Sequence, residues 1–213
     1  MPQTEELKPV EPVPESLWER LRAEPERAAE IIALAAAERF HEPARRWAER
    51  MAATHDPVRM ARAARARHVR LAAAGGAATG LGGALTIVPN VLGLIWAQSR
   101  MVFFVAASYG FDPAHPMRPA ELLVLYEIYP TAQEARAALD GVGTPLPLQM
   151  VDATLSRSSD QALRDRLIRY AYRQGGKRLA LKLVPVLSSP LSAAQNARAT
   201  ADLGARAIRY YGG

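Results

Sequence analysis

The four histidines of this chain are the first residues to consider for catalysis or metal binding. They are His41, His55, His68 and His115, and each lies in a different segment, without the spacing of a metal site. His68 falls on an apolar helical stripe, which favours a packed side chain over a ligand. The sequence contains no cysteine, which excludes a disulfide, a thiolate nucleophile and a thiolate metal site.

The paired carboxylates and the serine cluster also lack the partners that catalysis needs. Neither carboxylate pair, Glu38 with Glu42 or Asp160 with Asp165, has a histidine at a useful spacing. The serines at 156, 158 and 159 lack the flanking glycines of a nucleophile elbow. We therefore expect no enzymatic activity, no catalytic residue, no cofactor and no metal.

A glycine-rich stretch resembles a phosphate-binding loop only in its spacing. Gly75 and Gly80 are correctly separated, but Leu81 stands where the lysine is required, and no strand precedes the stretch. The small residues instead recur about every four positions, as in a smooth helical ridge that lets a second helix approach closely. The predicted helix-packing residues are Ala72, Gly76, Gly80, Gly83 and Ala84.

A bulkier apolar segment follows this ridge, and the two predict a helical hairpin. From Leu71 to Ser99 there is no charged side chain, and Pro89 with Asn90 divides the small half from the bulky half. We predict that the chain turns at Pro89–Asn90 and that the two halves pack together. The rest of the sequence predicts no strand. The expected fold is a single all-α domain of about eight to ten helices over residues 15–213, with a loosely docked arm at residues 1–14.

Local signals place several helix boundaries. Predicted helix starts are a capping box at Ser16 and Glu19, proline at Pro43, the Asp56–Pro57 pair, Pro119, and a second capping box at Thr131 and Glu134. Gly110 is a predicted helix end in the left-handed conformation.

Basic residues flank the apolar hairpin and suggest an anionic partner. The formal net charge is +6, and only three of the 27 basic residues are lysine. In the helix that begins near Pro57, three of its arginines share one side and Arg67 lies at its edge. An arginine in the middle of a membrane span costs roughly 2.5 to 3.5 kcal/mol, so Arg100 disfavours a two-pass hairpin. Predicted contacts with a membrane or partner are Arg59, Arg62, Arg67, Arg70, Trp96, Arg100, Phe103 and Phe104.

The order of these features resembles the EcsC family of bacterial proteins. The resemblance covers roughly residues 45–211. It rests on the small-residue helix, the Pro89–Asn90 turn, the run Ala107–Asp112, the segment Lys182–Pro185, Gln195 with Asn196, and the last helix to Tyr211. Family members usually carry aspartate where this chain has Asn90. The resemblance implies an α-helical, membrane-associated bacterial protein whose activity is unsettled.

Three functions remain as expectations. The first is an accessory or regulatory protein at the cytoplasmic face of a membrane, or on a membrane protein, since residues 1–15 lack the features of a secretory signal. The second is a soluble helical module that binds an apolar small molecule or lipid between its helices. The third is nucleic-acid binding, through the basic residues Arg157, Arg164, Arg166, Arg169, Arg173, Lys177, Arg178 and Lys182. The sequence predicts no oligomeric state.

Overall fold

The computed structural model describes residues 12–78, 87–142 and 193–213. These residues form seven α-helices and one short 3-10 helix, Pro25–Arg27, and no strand occurs among them. The helices are α1 (Glu15–Ala23), α2 (Ala28–Ala52), α3 (Pro57–Ala78), α4 (Ile87–Ser108), α5 (Arg118–Leu125), α6 (Ala132–Asp140) and α7 (Ala193–Gly212). The all-α prediction is confirmed.

Helix α1 starts differently from the prediction. Its N-cap is Pro14, whose carbonyl accepts a hydrogen bond of 3.1 Å from the Leu17 amide, and no side chain caps this end. Ser16 therefore lies inside the first turn, where its hydroxyl cannot serve as the N-cap. The predicted capping box between Ser16 and Glu19 is wrong.

Helix α2 continues through Pro43, so the prediction that this proline starts a new helix is also wrong. A proline inside a helix costs about 3 kcal/mol, because it removes a hydrogen bond and crowds the preceding turn. Packing on both sides of Pro43 offsets this cost. The rings of Phe40 and Trp96 lie 4.6 Å apart, and those of Trp47 and Phe104 lie 5.2 Å apart.

Three other predicted boundaries are confirmed. The Asp56 carboxylate accepts a 2.9 Å hydrogen bond from the Arg59 amide at the start of α3. Thr131 Oγ1 accepts one of 3.2 Å from the Glu134 amide at the start of α6. After α4, Gly110 has φ +81°. The amides of Gly110 and the next residue bond back to the carbonyls at 107 and 106, which is a Schellman end.

The chain does not turn at Pro89 and Asn90. Helix α4 begins at Ile87, which places both residues in its first turn. Proline suits that position, because the backbone N–H groups of a first turn have no acceptor within the helix and proline has no N–H group to leave unpaired. The predicted turn is therefore wrong in its location, although α3 and α4 do pack against each other.

Helix α4 is the centre of the fold, with α2, α3 and α7 packed around it. The contacts with α2 advance in the same direction along both helices, from Phe40–Trp96 to Trp47–Phe104, so the two helices run parallel. All residues from 95 to 99 and from 101 to 108 are buried. The bulky half of the predicted hairpin is thus enclosed by other helices.

Candidate functional site

The outward face of α3 is a cationic surface. Its residues Arg59, Arg62 and Arg70 are exposed and share one side of the helix, and α3 contains no acidic residue. Among the described residues no carboxylate forms a salt bridge with any of these three arginines. We call these three residues the α3 arginine face.

Several arginines elsewhere in the described chain are neutralised within their own helix. On α2, Glu42 lies 2.6 Å from Arg45 and 2.7 Å from Arg46. On α6, Arg136 pairs with Asp140 one turn away. The α3 arginine face differs because only Asp56, one turn before Arg59, lies near it, and the two side chains form no salt bridge. The face therefore presents net positive charge to solvent.

The remaining α3 arginines lie on its two flanks and are partly buried. Arg65 faces α7, where its Nε donates a 2.9 Å hydrogen bond to the Ala201 carbonyl. Arg67 lies on the opposite flank, close enough to Arg100 of α4 for its charge to act there. The predicted arrangement, with three arginines outward and Arg67 at the edge, is confirmed.

Arg100 lies partly buried over an aromatic ring. Its guanidinium carbon is 5.2 Å from the centre of the Phe104 ring, a cation–π contact. Burial lowers the pKa of Arg100, and the positive charges of Arg67 and Arg39 lower that pKa further. The charges of arginines on α2 and α3 therefore act on the Arg100 guanidinium of α4.

His68 forms part of the inner wall beside this region. Its ring lies edge-on to Phe104, with 5.5 Å between the ring centres, and its Nδ1 donates a 2.8 Å hydrogen bond to the Ala64 carbonyl. Burial lowers the pKa of His68 to about 3, so the imidazole stays neutral at physiological pH. Its Nε2 atom is buried without a hydrogen-bond partner.

The structure separates the predicted membrane contacts into two groups. The α3 arginine face is exposed, whereas Trp96, Phe103 and Phe104 are at most 2% exposed. These three aromatic residues are core residues that pack α4 against its neighbours, so their prediction as surface contacts is wrong.

The predicted helix-packing residues are only partly within the described chain. Ala72 is buried on α3, and Gly76 lies in the same helix. Gly80, Gly83 and Ala84 lie outside the described residues, as do the basic residues from Arg157 to Lys182 and the serine cluster.

A second polar cluster, which the sequence did not predict, fastens α7 to α5. Arg118 pairs with Glu121, and its guanidinium carbon lies 5.1 Å from the Phe111 ring centre. The same carbon lies 5.6 Å from the Tyr211 ring, and the Tyr211 hydroxyl bonds to the Glu121 carboxylate. Burial raises the pKa of Glu121, while Tyr211 and Arg118 act in the opposite direction. The spacing of Arg118 and Glu121 was visible in the sequence, but nothing there pointed to Tyr211.

The described residues include no group of three His, Asp or Glu side chains that could hold a metal ion. One described helical segment, Val91–Ser108, is long and apolar enough to cross a membrane, with a mean hydropathy of 1.5. Of this segment, 83% is buried inside the protein. Core helices of soluble proteins share the same length and composition, so this segment alone is weak support for a membrane span.

Comparison with known proteins gives one finding. No curated protein and no solved structure matches the chain. The model of the EcsC protein family matches residues 55–212. The match runs from the residue before the Asp56 cap through α3 and the central helix α4 to the end of α7, which is well over half of the chain. The chain therefore belongs to the EcsC protein family.

Proposed function

We propose that this protein is a non-enzymatic accessory or regulatory protein. In this proposal the α3 arginine face docks it on the cytoplasmic face of a membrane, or on a membrane protein there. The observation that carries the proposal is the exposure of Arg59, Arg62 and Arg70 with no carboxylate paired to them among the described residues.

The charges on this face suit a reversible attachment. Each basic residue near an anionic leaflet contributes about 1 kcal/mol, so three arginines supply about 3 kcal/mol at low ionic strength. Guanidinium groups also match phosphate oxygens with two parallel hydrogen bonds. This electrostatic attraction decays within about one Debye length of the membrane surface. Because added salt shortens the Debye length, salt should weaken the attachment.

The burial of α4 supports docking without insertion. Its aromatic residues already pack against α2 and α3, so lipid contact through them requires those helices to separate. The exposed arginines need no such rearrangement. We therefore infer an electrostatic, peripheral mode of membrane contact.

Flotation with vesicles tests this proposal. The wild-type protein should float at low salt with vesicles that contain phosphatidylglycerol, and should stay at the bottom with phosphatidylcholine alone. Replacing Arg59, Arg62 and Arg70 by glutamine should abolish flotation. A protein that fails to bind anionic vesicles at low salt would contradict the proposal.

A matched variant controls for the loss of three positive charges. Arg45, Arg46 and Arg136 are each paired with a carboxylate of their own helix, so their replacement by glutamine removes the same formal charge from a different surface. This control should float nearly as well as the wild type. Equal losses in both variants would point to net charge alone and against a docking face on α3.

A further inference from the structure

We propose that Val58, Phe111 and Tyr210 form an apolar contact surface, at one end of the helical bundle, for the interfacial region of an anionic lipid bilayer. We call these three residues the apolar end patch. The proposal rests on the membrane docking proposed above, and it adds which end of the molecule reaches past the lipid phosphates.

The apolar end patch collects the large apolar side chains that are open to solvent. Among the side chains that the structure describes, Val58, Phe111 and Tyr210 are the exposed large hydrophobic ones, at 43%, 41% and 44%. They come from three segments that are far apart in the sequence. Single apolar residues scattered over a protein surface are ordinary, so the feature that needs an explanation is their shared location.

The directions of the helices place all three residues at the same end of the bundle. Helices α2 and α4 run parallel, and only four residues join the end of α2 to the start of α3. The first turn of α3, which contains Val58, therefore lies at the end where α4 finishes and Phe111 follows. Helix α7 also ends there with Tyr210, because a Cβ on Gly212 would lie 3.0 Å from the Tyr109 hydroxyl.

Phe111 and Tyr210 form one aromatic surface around a buried ring. The centre of the Tyr211 ring lies 5.2 Å from that of Phe111 and 5.0 Å from that of Tyr210. The guanidinium carbon of Arg118 lies 5.1 Å from the Phe111 ring centre, and the Phe111 amide donates a 3.2 Å hydrogen bond to the Ala106 carbonyl. These contacts fix the Phe111 ring from the inside, so its open side needs no movement of a helix to meet a partner.

The charges beside the patch favour an anionic bilayer as the partner. Arg59 and Arg209 are chain neighbours of two patch residues, both are exposed, and neither forms a salt bridge with a described carboxylate. Two aspartates are also close in the chain, and each carboxylate accepts a backbone amide, Asp56 at 2.9 Å and Asp112 at 3.0 Å. Cations beside aromatic and aliphatic side chains suit the headgroup level of a bilayer. Arg59 also belongs to the α3 arginine face, so the two surfaces adjoin.

The size of the patch argues against a second protein molecule as the partner. A fully buried aromatic side chain covers about 150 to 250 Å², so three side chains that are less than half exposed offer on the order of 200 to 300 Å². Stable protein interfaces bury about 800 Å² on each partner. A bilayer has no such minimum, because its apolar contact adds to the attraction of the arginines.

Single cysteine labels test where the protein meets the bilayer. The chain contains no cysteine, so Phe111→Cys and Tyr210→Cys each carry one environment-sensitive fluorophore. With mixed phosphatidylcholine and phosphatidylglycerol vesicles, the emission of both labels should shift to shorter wavelength. Ala194→Cys is the matched control, since Ala194 is exposed at the start of α7, about 24 Å away along the helix from position 210, and its emission should not shift.

Two results of the labelling experiment would overturn the proposal. The first is unchanged emission from positions 111 and 210 while the protein is bound to vesicles. The second is a shift without vesicles that grows with protein concentration, because it would identify a second copy of the chain as the partner.

Paired substitutions test whether the patch contributes to affinity. Phe111→Gln with Tyr210→Gln should weaken vesicle binding about tenfold in a sedimentation titration, because apolar area is no longer removed from water. Phe111→Leu with Tyr210→Phe keeps both side chains apolar and should bind like the wild type. Equal losses in the two pairs would indicate damaged packing around Tyr211 and would contradict the proposal. Thermal unfolding followed by circular dichroism would establish that each variant is folded.

The α3 arginine face separates this proposal from the proposed function. If binding depends on that face, while neither label shifts and the glutamine pair binds normally, the docking stands and the apolar end patch fails. If the labels shift and binding depends on Phe111 and Tyr210 but not on the α3 arginine face, the patch stands and the docking face fails. A wild-type protein that binds no vesicles would contradict both.

Discussion

Gln98 Nε2 donates a hydrogen bond of 3.1 Å to Thr200 Oγ1, and both side chains are buried between α4 and α7. The Tyr126 hydroxyl lies 3.2 Å from the Ile95 carbonyl in the same part of α4. Gln98 is a polar residue in the middle of the apolar helix α4, two positions before Arg100. Its amide is satisfied by another helix of the same protein, which is what a core helix requires.

The first prediction concerns this buried bond. Thr200→Val keeps the shape of the side chain but leaves the Gln98 amide without its acceptor, so the free energy of unfolding should fall by about 1 to 3 kcal/mol. The double variant Gln98→Leu with Thr200→Val should lose less than the sum of the two single variants, because neither partner is then left unpaired. Urea denaturation of all four proteins measures this coupling. Strictly additive losses would contradict it.

The second prediction concerns pH and follows from His68. The pKa of His68 is about 3 in the folded protein, against 6.5 for an unperturbed histidine. At a pH between these two values, His68 is therefore protonated in the unfolded chain and neutral in the folded chain. Stability should therefore fall as the pH drops below about 6.5, by about 2 kcal/mol at pH 5 from this residue alone.

Two variants isolate the histidine responsible. His68→Leu removes the titrating group, so its unfolding free energy should change less between pH 7 and pH 5 than that of the wild type. His55 is exposed, and His55→Gln should keep the wild-type pH dependence. Parallel pH profiles for the wild type and His68→Leu would show that His68 is protonated in the folded state.

The third prediction compares two glycines inside helices. A Cβ at Gly204 would lie 2.7 Å from Arg65 Cγ and 3.1 Å from Met101 Sδ, and Arg65 is held by its bond to Ala201. Gly204→Ala should therefore destabilise the protein by about 1 to 2 kcal/mol, despite the better helix propensity of alanine. A Cβ at Gly93 would meet nothing within 4 Å, so Gly93→Ala should stabilise by about 0.5 to 1 kcal/mol. Thermal melts that rank the two variants in the opposite order would contradict the close packing of α3 on α7.

The fourth prediction concerns the cluster that holds the end of α7. Tyr211→Phe removes the hydroxyl that bonds to Glu121, a bond that lowers the pKa of that carboxyl against the effect of burial. The pKa of Glu121 should rise further, and the unfolding free energy at neutral pH should fall by about 1 to 3 kcal/mol. NMR titration of the Glu121 side chain measures the first effect. Tyr210→Phe is the matched control, since Tyr210 is exposed.

Local signals in the sequence predicted much of the fold. Asp56, Thr131 and Gly110 each act within one helical turn, and each marks a boundary where it was expected. Pro43 misled because its local cost is outweighed by Phe40 and Trp47 packing onto α4, a tertiary effect that the periodicity of α2 alone does not reveal.

The candidate site was predicted only in its exposed part. The spacing of the arginines along α3 was enough to identify the outward face. A solvent-facing side depends on the periodicity of one helix and not on how other helices pack. The effect of the Arg39 and Arg67 charges on the pKa of Arg100 depends on how three helices pack, and the contact of Tyr211 with Glu121 joins residues far apart in the chain. No spacing within one segment could have indicated either.

The enclosure of α4 has a consequence for how this protein tolerates sequence change. A helix on the surface of a protein has one side that faces solvent, and substitutions there, at every third or fourth position, have little effect on stability. Between residues 95 and 108, Arg100 is the only position that is not buried. A mutational scan along this segment should therefore show sensitivity without a helical period, in contrast to the alternating pattern along α3.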